Sequence, residues 1–150
     1  MCGICGKIHF DSSYKIDPVQ LERMSDTLYY RGPDDSGQYI SGNVGLGFRR
    51  LSIIDLSGGH QPLANEDETV WIAFNGEVYN FKDLRRDLEA KGHVFKTNTD
   101  SEAIVHAYEE YGESCVEHFR GMFAFAIWDE RKQQLFCARD RFGIKPFFYH

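Results

Sequence analysis

The 150-residue sequence has no long hydrophobic run. The longest, Met122 to Trp128, is far too short to cross a bilayer, and the N-terminus lacks the basic-then-apolar order of an export leader. No Lys/Arg run exceeds two residues and the formal net charge is −6, which argues against partners of nucleic acid or anionic membrane. Cysteine is scarce, at four, and a second C-x-x-C is missing because Cys115 and Cys137 stand alone. Without an export signal the thiols are expected to be reduced and the setting cytoplasmic. None of the six histidines stands four residues from another on a helix, so neither a histidine metal site nor a histidine-based triad is expected, and the site is read as metal-free. Repeats and low-complexity stretches are also lacking.

What is present fits one domain. A chain of this length can bury about 68–70% of its unfolded surface, and 12 Phe and 8 Tyr favour strands packed against a second layer. Residues 2 to 10 read as a strand with Ile4, Ile8 and Phe10 on one face. Cys2 shares their parity and Cys5 does not, which parts the two thiols. Asp17-Pro18 opens a helix with Val19, Leu21, Met24 and Leu28 as its apolar stripe, ending near Tyr30. Gln38–Ile40 and Val44–Leu51 suggest a hairpin, and Ser57-Gly58-Gly59-His60 a turn, since the Lys-Ser/Thr of a phosphate loop is missing.

Val70–Phe74 reads as a strand stopping at Asn75-Gly76, Asn80 as the cap of a helix through Ala90, and Val94–Thr97 as a short strand. Thr99 with Glu102 has the spacing of a capping box, ahead of a helix whose Ala103, Ile104, Ala107 and Tyr108 face the core. Phe123–Asp129 and Gln134–Arg139 form a second hairpin. The first of these strands is apolar on both faces, which implies a sheet covered on both sides.

Four places carry chemistry. If Met1 is trimmed, Cys2 holds a thiol and a free α-amine on one residue, nucleophile and base together, with ordinary pKa values near ~8.5 and ~7.7–8.0. Arg50 enters an apolar stretch, Leu51-Ser52-Ile53-Ile54, and needs an anion there; read alone, an internal salt bridge is the plainer choice over a ligand carboxylate. Asn75-Gly76 is either a tight turn or a pair of donors for an oxyanion. Asp100, at the first position of its helix, reads first as a partner of the helix dipole.

Taken together, Cys2-Gly3-Ile4, Arg31-Gly32-Pro33-Asp34, Arg50 to Asp55, Asn75 to Asn80, Asp100-Ser101-Glu102, Gly121 to Ala126 and Arg139 to Pro146 resemble, in order and across the whole chain, the glutaminase domain of the asparagine synthetase branch of class II glutamine amidotransferases. Tyr30 and Phe48 depart from the histidine that many relatives carry. The resemblance implies an α+β N-terminal-nucleophile hydrolase fold, a four-layer αββα sandwich of two antiparallel sheets between helix layers. It also implies roles. Cys2 would attack the side-chain amide of L-glutamine and form a γ-glutamyl thioester, with Asn75 and Gly76 as the oxyanion hole. Arg50 would hold the substrate carboxylate and Asp100 its ammonium, while Leu51, Ser52, Ile53, Ile54 and Glu77 complete the pocket.

No cofactor is implied for this domain; ATP and Mg²⁺ would belong to a synthetase domain expected in cis beyond residue 150, and a homodimer is a possible assembly. The expected acceptor of the ammonia is aspartate, with sugar acids, lactam closure or peptide cyclisation as the other acceptors. A rival reading keeps the fold as a non-catalytic regulatory or docking module, favoured if Met1 is retained.

Overall fold

The computed structural model describes residues 1–51 and 59–150. Two antiparallel sheets face each other. The first has strand order β1-β3-β2, from β1 (Gly3–Ile8), β2 (Asp35–Ser41) and β3 (Val44–Arg50); the second has order β4-β5-β6-β7, from β4 (Leu63–Ala64), β5 (Val70–Val78), β6 (Gly121–Asp129) and β7 (Gln134–Arg139). Helix α1 (Pro18–Asp26) packs on the outer face of the first sheet, where Ser25 meets Cys5 Sγ at 3.3 Å. Helices α2 (Phe81–Ala90) and α3 (Asp100–Tyr111) pack together, with α3 against β5. The result is the α+β sandwich of sheets between helices that the resemblance implies.

Strand parity sets the layers. The even residues of β5, Val70, Ile72, Phe74 and Val78, join Leu84, Leu88, Ile104 and Tyr108 in the core under the helices, along with Phe123, Phe125 and Ile127 of β6. The opposite face carries Trp71, Ala73, Ala126 and Trp128 into the layer between the sheets, where they meet Ile4, Ile8, Val44, Leu46 and Tyr39. Tyr39 stacks on Trp71 with ring centroids 4.2 Å apart. The strand that reads as apolar on both faces is thus covered on both.

Local chemistry explains where the elements begin and end. Asp17 accepts from Val19 N at 3.0 Å with Pro18 in the first turn, so α1 starts where the sequence places it. It stops earlier than Tyr30, at Asp26, and a separate 3-10 turn spans Tyr29–Arg31; Val19 is exposed. Strand β1 is shorter than 2 to 10, and Phe10, beyond its end, is exposed instead of facing the core.

Residues 94–97 are not a strand. Their amides go to carboxylates: Val94 N donates to Glu66 (2.8 Å), and Lys96 N and Thr97 N donate to the two oxygens of Glu102 (both 2.7 Å). Glu102 therefore leaves the capping box half made, although Thr99 accepts from Glu102 N at 3.3 Å. Asn80 precedes α2 without capping it, because its side chain donates to His118 O and accepts from Arg120 N. The expected turn at Ser57-Gly58 lies outside the described residues.

Candidate functional site

The layer between the sheets turns polar at one end. On β3 the inward row Val44, Leu46, Phe48 continues to Arg50, and all four are buried. On β1 the row Ile8, Ile4 continues to Cys2, whose strand neighbour Gly3 pairs with Arg49. On β5 the row Trp71, Ala73 continues to Asn75 and Glu77. Three apolar rows thus end together in a thiol, a guanidinium, a carboxamide and a carboxylate.

A cleft of about 80 Å³ opens at that end, and its walls include Cys2, Arg50, Gly76, Glu77 and Asp100. These are five of the residues singled out from sequence. Asn75 is buried on β5 beside them. Leu51 reaches the thiol through its backbone, with its N–H donating to Cys2 Sγ at 3.4 Å and its carbonyl facing the same sulfur at 3.7 Å. Ser52, Ile53 and Ile54 lie outside the described residues.

Strand β5 does not stop at Asn75-Gly76 and makes no tight turn there. It runs on to Val78, pairing Asn75 with Ala124 and Gly76 with Phe123. Glycine is demanded by closeness: a Cβ at position 76 would lie 2.3 Å from Met122 O. The even amides of β5 point away from β6. Phe74 N donates to the Gln61 side chain at 2.7 Å and Val78 N to Asp100 at 2.9 Å. Alternation aims the Gly76 N–H along this same edge, between those two, past the point where β4 has ended opposite Ile72. A backbone donor is therefore directed to the edge that borders the cleft.

The charges are set by burial. Asp100 is 7% exposed, and desolvation outweighs its backbone hydrogen bonds, with Glu77 adding repulsion, so its pKa rises to about 6. Arg50 is equally buried; Gly59 packs over it so closely that a Cβ there would sit 2.3 Å from Nη2. Across the ladder Arg50 faces Asp35, whose carboxyl is held below the ordinary range against desolvation, first by the hydrogen bond with His60 at 2.7 Å, then by the Ser36 N–H, and least by the Arg50 charge. The guanidinium thus borders both Asp35 and the cleft. Arg31 Nε donates to Cys2 O at 3.3 Å and steadies the residue that carries the thiol.

Phe48, Gln61, Phe74, Thr99 and Ser101 also line the cleft and are not among the site residues read from sequence; Phe48 stands out there only for its departure from the relatives' histidine. Thr99 and Ser101 flank Asp100, and Ser101 stands in the same motif. Nothing local marks Gln61, which enters through its bond to β5. A thiol, a cation, two carboxylates and an aimed N–H suit a small dipolar molecule with a carbonyl.

The stacked sheets, with the cleft at the end of β1, define an N-terminal-nucleophile hydrolase fold. Glutamine phosphoribosylpyrophosphate amidotransferase from B. subtilis, solved with ADP and GMP, superposes on 97% of this chain and 38% of its own with a TM-score of 0.75 at 20% identity. A family profile for the glutamine amidotransferase domain matches residues 1–150, and the chain belongs to that family. It is 47% identical to asparagine synthetase [glutamine-hydrolyzing] 3 of Bacillus subtilis over 99% of its length and 38% identical to a putative asparagine synthetase of Methanocaldococcus jannaschii over all of it. It spans 25% and 32% of those proteins, respectively.

Proposed function

We propose that this chain is the glutamine-hydrolysing unit of an amide-forming synthetase, and that its cleft binds L-glutamine with the side-chain amide at Cys2. The observation that carries this reading is the convergence of Cys2, Arg50, Gly76, Glu77 and Asp100 on one cleft. Glutamine is a zwitterion. A site that strips its water must offer a cation to the carboxylate and an anion to the ammonium. Arg50 and Asp100 are suited to these roles.

The step then runs within Cys2 itself. After Met1 is removed, the free α-amine takes the thiol proton as sulfur attacks the amide carbon. Negative charge gathers on the carbonyl oxygen, where the Gly76 N–H and the Asn75 carboxamide stabilise it. Collapse breaks the C–N bond. The α-ammonium returns the proton to the departing nitrogen, which leaves as ammonia, and water cleaves the γ-glutamyl thioester to glutamate. The chemistry needs no cofactor.

The ammonia would pass to a synthetase domain in cis that uses ATP and Mg²⁺, with aspartate the favoured acceptor because the relatives' names are those of asparagine synthetases. A covering neighbour is supported by Phe142, Phe148 and Tyr149 near the C-terminal end, each at least 88% exposed. A cytoplasmic setting and a homodimer belong to the same proposal.

The test is Cys2→Ala with an intact-mass measurement of the wild-type chain. Glutamate release should fall by ~10³-fold or more, with the melting temperature little changed, and the active wild type should lack Met1. Comparable activity in the variant, or full activity with Met1 retained, overturns the mechanism in favour of another nucleophile or base.

A further inference from the structure

Further along α3 than the residues that line the cleft, two histidines and two glutamates converge. Glu66, His93, His106 and Glu109 each offer one ligand atom, all within 4.8 Å of one another, and none of the four lines the cleft. They come from three separate stretches of chain. His93 Nδ1 is 3.7 Å from Glu66 Oε1 and 3.7 Å from Glu109 Oε2; His106 Nδ1 is 3.5 Å from Glu66 Oε2 and 2.8 Å from Glu109 Oε2. A tetrahedral ion with ligand bonds of ~2.0–2.1 Å sets its donors ~3.4 Å apart; with one atom from each residue the set lies within 4.8 Å, so it would close by about 1.4 Å at its widest to hold such an ion.

We propose that Glu66, His93, His106 and Glu109 form a structural zinc site that fastens the 65–69 loop and the segment after α2 to helix α3.

The surroundings are those of ligands held in place from behind. The outer nitrogens of both imidazoles face carboxylates: His106 Nε2 lies 3.8 Å from Glu102 Oε1 and His93 Nε2 lies 3.7 Å from Glu110 Oε2. At these distances neither pair is hydrogen-bonded; an approach of under an ångström would make the carboxylate-histidine arrangement that fixes which ring nitrogen meets a metal. His106 is fully buried, its Nδ1 meets Glu109 at 2.8 Å, and among the described residues its Nε2 has no hydrogen-bond partner; moving the proton from Nδ1 to Nε2 would free Nδ1 for metal and turn the N–H toward Glu102. The glutamates are braced too. Val94 N donates to Glu66 Oε1 at 2.8 Å, and Asn65 Nδ2 donates to Glu109 Oε1 at 2.6 Å. Glu102 is fixed by Lys96 N, Thr97 N and the Thr97 hydroxyl.

Charge favours a dication as well. Four carboxylates, Glu66, Glu102, Glu109 and Glu110, surround two imidazoles, and Lys91 pairs with Glu110 at the rim. Even two protonated histidines leave the cluster negative. Two neutral imidazoles and two carboxylates around Zn²⁺ are neutral, and this borderline nitrogen and oxygen donor set suits zinc. The sequence reading weighed histidines only against one another at helical spacing, and so missed a set shared between a loop, a post-helix segment and α3.

Metal content and stability test this without reference to glutaminase activity. The chain, purified without chelator and measured by plasma mass spectrometry, should hold about one zinc per molecule. Stripped protein titrated with ZnCl₂ to ~100-fold over Kd should gain about 5 °C or more in melting temperature, and Co²⁺ in its place should show the intense visible bands of a tetrahedral site. His93→Ala, at a partly solvent-accessible ligand, should fold yet bind zinc at least ~100-fold more weakly. Two results overturn the proposal: stripped protein that gains no stability with zinc, or a His93→Ala variant that binds it as well as wild type. Either leaves the cluster as a proton-bridged ion network or assigns the zinc to exposed thiols.

Discussion

Asp100 is placed where a charge is costly unless a ligand answers it. Its carboxyl is 7% exposed and its pKa stands at about 6 against an ordinary value near ~3.9. A rise of that size corresponds to about 3 kcal/mol against the charged form at neutral pH. The folded chain therefore holds this proton more tightly than the unfolded chain. Between pH ~4 and ~6 the native state binds more protons, so this group's contribution to stability falls as pH rises through that window and is flat above it.

Asp100→Asn removes the titration. The variant keeps an acceptor for Val78 N and loses other carboxylate hydrogen bonds, a cost of roughly 1 kcal/mol that does not vary with pH. The unfolding free energy of the variant, minus that of wild type, should therefore rise by roughly 1–2 kcal/mol from pH ~5 to pH ~8. Urea denaturation at both ends of that range and at its middle measures it. In parallel, loss of the partner for the substrate ammonium should raise KM for glutamine by ~30-fold or more, the equivalent of at least ~2 kcal/mol. A difference in stability that is level across the pH range refutes the burial argument. An unchanged KM refutes the assignment of Asp100 to the ammonium.

Arg50→Lys should lose most glutamine affinity at little cost in melting temperature, because an ammonium cannot reproduce the planar fork that meets a carboxylate; wild-type KM would return Arg50 to its role opposite Asp35. Asp140 is 5% exposed and accepts backbone N–H groups of Phe123, Phe142, Ile144 and Lys145, which hold its carboxyl below the ordinary range despite desolvation. Asp140→Ala should cost about 3 kcal/mol or more at neutral pH, read from chemical denaturation. Because this pKa is lowered, the difference should shrink as pH falls below ~4.

Much of the fold was legible because parity and capping are local. The alternation of Ile4 and Ile8 places Cys2 on the inner face, and the two-faced apolar run of β6 matches its double cover. What failed depended on distant partners. Residues 94–97 have the composition of a strand, but Glu66 and Glu102 claim their amides before any strand edge can. Asn75-Gly76 has the letters of a turn, yet β6 pairs with it and closes over the glycine. Asn80 has the chemistry of a cap and instead ties two loops together.

The cleft followed the same division. Cys2, Arg50, Asn75, Gly76, Glu77 and Asp100 all stand in motifs that resemble those of a family. Gln61 does not announce itself, and Phe48 is marked only by its departure from the relatives' histidine, since their parts depend on where β5 and β3 end in space. The contact of the Leu51 backbone with Cys2 spans 49 positions and no window of sequence contains it.

Phe48 is 1% exposed, yet it walls the cleft while standing next in line to Leu46 in the packed interior. Among the described residues one ring thus serves two surfaces, the wall of the cleft and the interior that keeps the two sheets together. A mutation that trims this ring to admit a bulkier guest also removes a support, so broader appetite and lower heat resistance should arrive as one change.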